Sequence, residues 1–311
     1  MKTMRSPGRS FPKKMFRLTL SIFPGVQVLT VLLLLSFTAA FGETTKLPDG
    51  TKIFYRSLGS GTVPLVFIHG YSTSSAFWEK VLPRLGGDVK AYALDQRGFG
   101  ASDKPETGYR LDDLADDIIG FLDALKIEKA VFVGHSMGGS VLQHLAVRNP
   151  ERILALVLSN AFARTLPPKG LTENVKKRID GYGDPEKNRA IFQSSMTKYV
   201  DAANVASGDL DLFINIGLQA SNNALKKTLE SLYNTPALAV EKLSALAVPV
   251  LIVTATHDPF SSFEHSVALT DAFGNSRLVV IPRCGHSPMW EKPELFTEAL
   301  VSFLSSYGIL K

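Results

Sequence analysis

The stretch VFVGHSMGGS, residues 131–140, decides how the rest of the chain is read. An apolar run stops at Gly134, Ser136 follows two positions on, and Gly138 and Gly139 come close behind. The run suits a strand buried on both faces, and Val141, Leu142, Leu145 and Ala146 then fall at helical spacing. A strand that turns into a helix through Gly-x-Ser-x-Gly needs glycines beside the serine, so that neighbouring backbones can pass in the tight turn. Such a turn pushes the Ser136 hydroxyl outward at the amino end of a helix, whose dipole favours a developing negative charge.

Outward from that turn, continuous apolar runs recur at residues 64–68, 91–94, 153–158, 248–253 and 278–281, while residues 51–56 alternate like a half-exposed strand. Helical patterns lie between them. The clearest is 111–125, where Leu111, Leu114, Ala115, Ile118, Ile119, Leu122 and Leu125 share a face and four aspartates crowd the first turns. This alternation predicts a mostly parallel sheet flanked by helices, with sites at the carboxyl ends of the strands. Residues 165–244 break it, offering only helical spacings with Gly181, Gly183 and Pro185 as breaks. A long helical insertion between core strands is expected to cover a site as a cap, the plainer alternative being added bulk. The organisation is therefore a core of residues 43–164 and 245–311 with a cap over 165–244.

With 311 residues and 45% apolar content, the chain can bury a full core, and disorder is excluded. Its net charge of +5 is misleading as a guide to partners. Six of the 34 basic residues lie in the first 42 with no acid among them, and the remainder carries 28 basic against 29 acidic residues. No clustered basic face is left for nucleic acid. Residues 1–42 instead have the layout of a secretory signal: a basic stretch ending at Arg17, an apolar run over 26–37, and small residues Ala39, Ala40 and Gly42 at the exit. Cleavage after Ala40 or Gly42 would yield an exported, periplasmic or secreted protein. The alternative is an uncleaved anchor over 18–41, interrupted by Pro24 and Gly25, which would be the chain's one membrane contact. The single cysteine, Cys284, forms no internal disulfide.

A serine hydroxyl needs a base, and the base needs a group to orient it. Of the six histidines, His286 lies on the loop just past the last apolar run, where the base belongs in this chain order. His135 falls inside the turn itself, His144 on the helix after it and His265 on a later helix, all three as packing or surface residues. The acid belongs at a strand end between Ser136 and His286. The earlier end, Leu158-Ser159-Asn160-Ala161, offers no carboxylate, and the later one offers Asp258, which could also be an ordinary Asp-Pro turn. The oxyanion is assigned to the backbone N–H groups of Met137 and Tyr71, with Gly70 allowing close approach and His69 propping the loop. Phe77, Trp78 and Met289 either line an acyl pocket with apolar cap residues or simply fill core.

Taken together, VFIHGYSTSSAFWE, LDQRGFGASDKP, VGHSMGGS, HDPF and CGHSPMWEKP resemble the α/β-hydrolase superfamily over essentially all of residues 51–310. The resemblance implies an eight-stranded sheet, a Ser136–Asp258–His286 triad, a cap before the acid-bearing strand, and neither cofactor nor metal. It makes Asp95-Gln96-Arg97-Gly98 a structural turn with no catalytic role. Epoxide hydrolases and haloalkane dehalogenases carry aspartate at the nucleophile, so Ser136 argues against them. A serine esterase acting on a small-molecule acyl substrate is expected, with carbon-carbon bond hydrolases and perhydrolases of the same fold close by. A small-molecule sensor with residual hydrolysis is the alternative from another class, disfavoured by the export signal.

Overall fold

The computed structural model describes residues 41–311, among which eight strands form one sheet. They are β1 (Phe41–Lys46), β2 (Lys52–Leu58), β3 (Val63–Ile68), β4 (Val89–Leu94), β5 (Ala130–His135), β6 (Ile153–Ser159), β7 (Val250–Ala255) and β8 (Ser276–Ile281), laid side by side as β1-β2-β4-β3-β5-β6-β7-β8. β2 pairs antiparallel with β1 and β4, and all other neighbours are parallel. The apolar runs conceal an alternation that only two-sided packing explains. In β3, Leu65 and Phe67 enter one core and Val66 and Ile68 the other; β5 splits Val131 and Val133 from Ala130 and Phe132 in the same way.

Ten helices follow in chain order among the described residues: α1 (Leu111–Ala124), α2 (Met137–Arg148), α3 (Glu173–Gly181), α4 (Pro185–Tyr199), α5 (Asp209–Gly217), α6 (Asn222–Asn234), α7 (Val240–Ser244), α8 (Phe263–Ala272), α9 (Pro288–Glu291) and α10 (Pro293–Ser306). The apolar sides of α1, α2 and α8 close one face of the sheet, and Phe296, Leu300, Phe303 and Leu304 of α10 close the other. Each such buried side chain contributes about 1.5–3 kcal/mol over its exposed state. This is the α/β-hydrolase fold. The turn after β4 ties the two layers: Asp95 accepts N–H groups of Ser75 and Ala101, at 2.7 Å each, and the Arg97 guanidinium forks onto Asp117 of α1.

Helices α3 to α7 fill the insertion between β6 and β7. Their starts are written locally. Asp184 accepts the Lys187 N–H at 2.9 Å, Ser221 the Ala224 N–H at 3.1 Å, and Pro185 takes the first position of α4, where it has no N–H to waste. The leader expected over residues 1–42 lies outside the described residues, except that Phe41 and Gly42 form the first rungs of β1, opposite Ser57 and Arg56. No helix among the described residues is long and apolar enough to cross a membrane.

Candidate active site

Ser136 joins β5 to α2 with φ 52° and ψ −114°, a left-handed backbone that a non-glycine residue holds only when its surroundings force it. The forcing is steric. A Cβ on Gly138 would stand 2.4 Å from the Ile68 carbonyl oxygen, and one on Gly134 would stand 2.8 Å from the Gly138 backbone. Only glycines let α2 start this close to β3 and β5. The Ser136 N–H donates to the Ser159 carbonyl at 2.9 Å, which fixes the turn to β6.

The structure brings Ser136, His286 and Asp258 together. His286 Nε2 lies 2.9 Å from Ser136 Oγ, and His286 Nδ1 lies 2.8 Å from Asp258 Oδ2. A carboxylate can only accept, so Nδ1 carries the proton and Nε2 is left to accept from the hydroxyl. Burial opposes the charge on Asp258, but the His286 ring beside it, the Asn160 amide donating at 2.8 Å and the Phe260 N–H donating at 2.8 Å outweigh that. They hold its carboxyl well below the usual carboxylate range. The side chains of Asp258 and His286 are closed from water, at 0% and 1% exposure.

His286 sits in a socket built from three directions. Its N–H donates to the Tyr199 carbonyl of the cap at 2.9 Å, and its ring packs on Tyr199, Phe260 and His135 with centroids 5.0, 5.0 and 4.8 Å away. Beneath the loop, the buried Glu291 carboxylate accepts the Gly285 N–H at 2.8 Å, the Ser287 N–H at 3.1 Å, the Asp201 N–H at 2.9 Å and the Asn204 amide at 3.2 Å. One carboxylate thus binds the histidine loop to the cap.

The loop after β3 passes directly over the serine: a Cβ on Gly70 would stand 3.3 Å from Ser136 Cβ. Met137 opens α2, so its N–H has no intrahelical acceptor, and the Tyr71 N–H has no protein acceptor among the described residues. Both assigned donors are therefore without a protein acceptor among the described residues. His69 props this loop, accepting the Gln96 N–H at Nε2 over 3.0 Å, while Gln96 returns a bond to the His69 carbonyl at 2.9 Å. His135 donates from Nε2 to the His286 carbonyl at 2.8 Å, and burial, with the neighbouring His286, pushes it down to about 3, so it is neutral.

A cavity of about 420 Å³ opens onto Ser136 and His286, of a size that holds a small molecule. Its apolar wall comes from Phe162, Leu166, Leu229, Leu232, Tyr233 and Phe260. The pocket expected from Phe77, Trp78 and Met289 needs correction, because none of the three lines it. Phe77 is buried against Phe213 and Trp290, Trp78 packs on Phe67 and Phe296 across the far face of the sheet, and Met289 is buried in that same far-side core. They fill core, as the other expectation had it. His265, expected only to pack, does line the cavity, and its Nδ1 accepts the Ala163 N–H at 3.2 Å. Among the described residues no three His, Cys, Asp or Glu side chains are grouped as a metal would require.

Two residues at the site escaped the sequence reading. Asn160 offers no carboxylate, yet its amide donates to that of Asp258 at 2.8 Å; its φ of 48° at a strand end fits an asparagine. Glu291 stood in plain view five residues after His286, and only the fold shows that its oxygens face four N–H donors.

A profile of the Alpha/beta hydrolase family matches residues 65–299. The chain is similar to a non-heme chloroperoxidase from Streptomyces lividans, at 28% identity over 85% of this chain and 99% of the relative. It is also similar to a 2-hydroxymuconate semialdehyde hydrolase from Pseudomonas sp. strain CF600, at 28% identity over 82% of this chain and 91% of the relative. Among solved structures it superposes on an esterase from Rhodococcus sp. ECU1013 with a TM-score of 0.74 and 25% identity, covering 85% of this chain and 98% of that one.

Proposed function

The chain belongs to the alpha/beta hydrolase family, and from that premise we propose that it is a serine hydrolase that cleaves a small carboxylic ester or related acyl substrate. The observation that carries the reading is the unbroken relay from Ser136 through His286 to Asp258. In the first half-reaction His286 Nε2 takes the hydroxyl proton as Oγ attacks the carbonyl carbon. Asp258 holds the imidazole in the accepting tautomer and stabilises it once it is protonated. The N–H groups of Tyr71 and Met137 receive the oxyanion, each lowering the barrier by on the order of 3 kcal/mol. His286 then gives its proton to the leaving alcohol. In the second half-reaction water is deprotonated by His286, attacks the acyl carbon and frees the acid, restoring Ser136.

Carbon-carbon bond cleavage and peracid formation use the same three residues, and relatives named for other chemistries keep both in view. The test is a fluorophosphonate label, expected on Ser136 in wild type and absent in Ser136→Ala, followed by nitrophenyl esters graded by acyl length. Brisk turnover with a chain-length optimum supports the esterase. Loss of colour from a dienoate with poor ester turnover would move the reading to carbon-carbon hydrolysis, and tight binding with negligible turnover would move it to a sensor. We further propose that residues 1–42 direct export, on the strength of their basic, apolar and small-residue order.

A further inference from the structure

The cavity that reaches Ser136 contains a guanidinium with no carboxylate partner among the described residues. Arg178, on α3, lines the cavity and takes part in no ion pair among the described residues. It is held by tyrosines instead. Its Nε–H donates to the Tyr182 hydroxyl at 2.8 Å, its guanidinium carbon lies 5.1 Å from the centre of the Tyr71 ring and 6.0 Å from that of Tyr182. The Tyr71 hydroxyl in turn donates to the Leu225 carbonyl at 2.7 Å, so the platform is itself anchored to the cap. With Nε committed, the two terminal nitrogens remain, and Nη2 is wholly buried with no acceptor. A guanidinium is charged at any pH a protein survives, and a buried donor left without a partner costs free energy that natural folds spend at few places.

The other charged groups of the cavity do not supply the missing partner. Arg164 has committed both terminal nitrogens, donating to the Leu232 and Thr235 carbonyls at 3.0 and 2.8 Å, and keeps only its Nε buried and unpartnered. Lys169 and Glu264, of opposite sign, both act on His265 at another part of the wall. Asp258 faces His286. What remains is a planar, aromatic-backed guanidinium that lines the same cavity as the nucleophile, with Nη1 accessible and unpaired and Nη2 unpartnered behind it, a cation suited to a carboxylate.

We propose that the substrate bears a carboxylate at the end of its acyl chain remote from the scissile carbonyl, and that Arg178 binds it. The proposal rests on the serine-hydrolase reading for its catalytic arm. The half-ester of a dicarboxylic acid is the substrate class: the ester carbonyl sits at Ser136 and the free carboxylate at Arg178, with the apolar wall of Phe162, Leu229 and Leu232 flanking the chain between them. Tyr71 serves both ends, its ring backing the guanidinium and its N–H facing the oxyanion. A guanidinium lost from such a site lowers affinity about 10- to 100-fold.

The experiment compares mono-4-nitrophenyl glutarate with 4-nitrophenyl pentanoate, which have the same acyl length and differ in the terminal carboxylate. In wild type kcat/KM is expected to favour the glutarate ester at least tenfold. Arg178→Met is expected to lower that ratio about 10- to 100-fold and Arg178→Lys to lower it less, with fluorophosphonate labelling of Ser136 reporting that each variant is folded. Lys169→Gln controls for general charge, and a fall as large as that from Arg178→Met would overturn the assignment of the guanidinium. So would a wild-type preference for the pentanoate ester, or an unchanged ratio in labelled Arg178→Met. A binding arm does not depend on turnover: calorimetry of glutarate with Ser136→Ala should show binding that Arg178→Met weakens by the same factor. Equal affinity or none overturns the proposal, whereas failure of wild type to label or turn over either ester removes the hydrolase reading and leaves this arm to decide on the carboxylate.

Discussion

Removing the carboxylate beneath the histidine loop should cost the protein more than any exposed acid would. Glu291 is 6% exposed and receives four donors, three on Oε2 (Gly285 N–H, Asp201 N–H and the Asn204 amide) and one on Oε1, the Ser287 N–H. In Glu291→Ala water can rescue Asp201 and Asn204, which are half-buried, but not Gly285 and Ser287, which are buried. Two stranded donors at about 1–3 kcal/mol each give a loss of about 2–6 kcal/mol, against a total stability of about 5–15 kcal/mol. Glu291→Gln separates the two oxygens. With its carbonyl placed at Oε2 it keeps three bonds and turns an amide N–H₂ against the Ser287 N–H, a loss of about 1–3 kcal/mol. Urea midpoints at constant slope should therefore fall in the order wild type, Gln, Ala. The rate of fluorophosphonate labelling at Ser136 should fall in the same order, because a loop that opens locally spares the midpoint and loses the alignment of His286. The reasoning is refuted if Glu291→Ala keeps both the wild-type midpoint and labelling rate, or if Gln and Ala behave alike.

Asp258→Asn should lower kcat for ester hydrolysis about 10³- to 10⁴-fold with little change in KM, since an amide facing His286 Nδ1 no longer enforces the accepting tautomer at Nε2; a fall under tenfold contradicts the relay. Stability should drop as the medium is acidified from neutrality. His135, held down to about 3 by burial and by His286, stays neutral in the fold while the unfolded chain takes a proton near pH 6.5, so its contribution stands above about 6.5 and drains as pH falls toward 3, by about 1.4 kcal/mol per pH unit. Burial pushes His69, His144 and His265 in the same direction. Urea unfolding of His135→Gln between pH 6.5 and 5 should show a loss smaller by about 2 kcal/mol, and an identical pH slope would contradict a neutral His135. Gly138→Ala places a methyl 2.4 Å from the Ile68 carbonyl and 2.8 Å from the His69 carbonyl, both backbone, and is expected to destabilise by at least about 1–3 kcal/mol and to slow labelling; a wild-type midpoint would show the turn to be loose. On the export proposal, mass spectrometry of the mature chain should find Phe41 at its start, because cleavage after Gly42 removes two rungs of β1.

What could be read ahead of the structure was whatever depends on neighbours in sequence. The elbow glycines, the buried strands and the chain order of Ser136, Asp258 and His286 are local patterns with a known mechanical reason. β1 was not legible, because Phe41–Lys46 is an edge strand of mixed polarity that has no apolar run to betray it. The cavity was not legible either. Phe77 and Trp78 look alike as candidates, and their turn sends one ring to the cap side of the sheet and the other to the far side. The true wall comes from segments around Phe162, Arg178, Tyr199, Leu229 and Phe260, distant in the chain and joined only by the way the cap sits on the sheet. The isolation of Arg178 is harder still to foresee, since it consists in where the carboxylates are not.

That geometry changes what the cap is for. A catalytic histidine works on a hydroxyl only if its ring is fixed, and keeping bulk water from its Nδ1 side preserves the low dielectric that strengthens the bond to Asp258. The loop after β8 cannot provide this alone: it offers Gly285, His286 and Ser287 with no regular partner of their own. Tyr199 supplies the acceptor for the His286 N–H and one wall of its socket, and Asp201 and Asn204 share the Glu291 carboxylate that holds the loop from beneath. The cap residues 199–204 therefore belong to the base as much as to the substrate cavity. The stretch around Leu166, Pro167 and Lys169 also lines the cavity but contributes no bond to that clamp. A change of substrate preference can arise in the latter stretch without disturbing the triad, whereas a change at Tyr199 or Asp201 acts on binding and on His286 together.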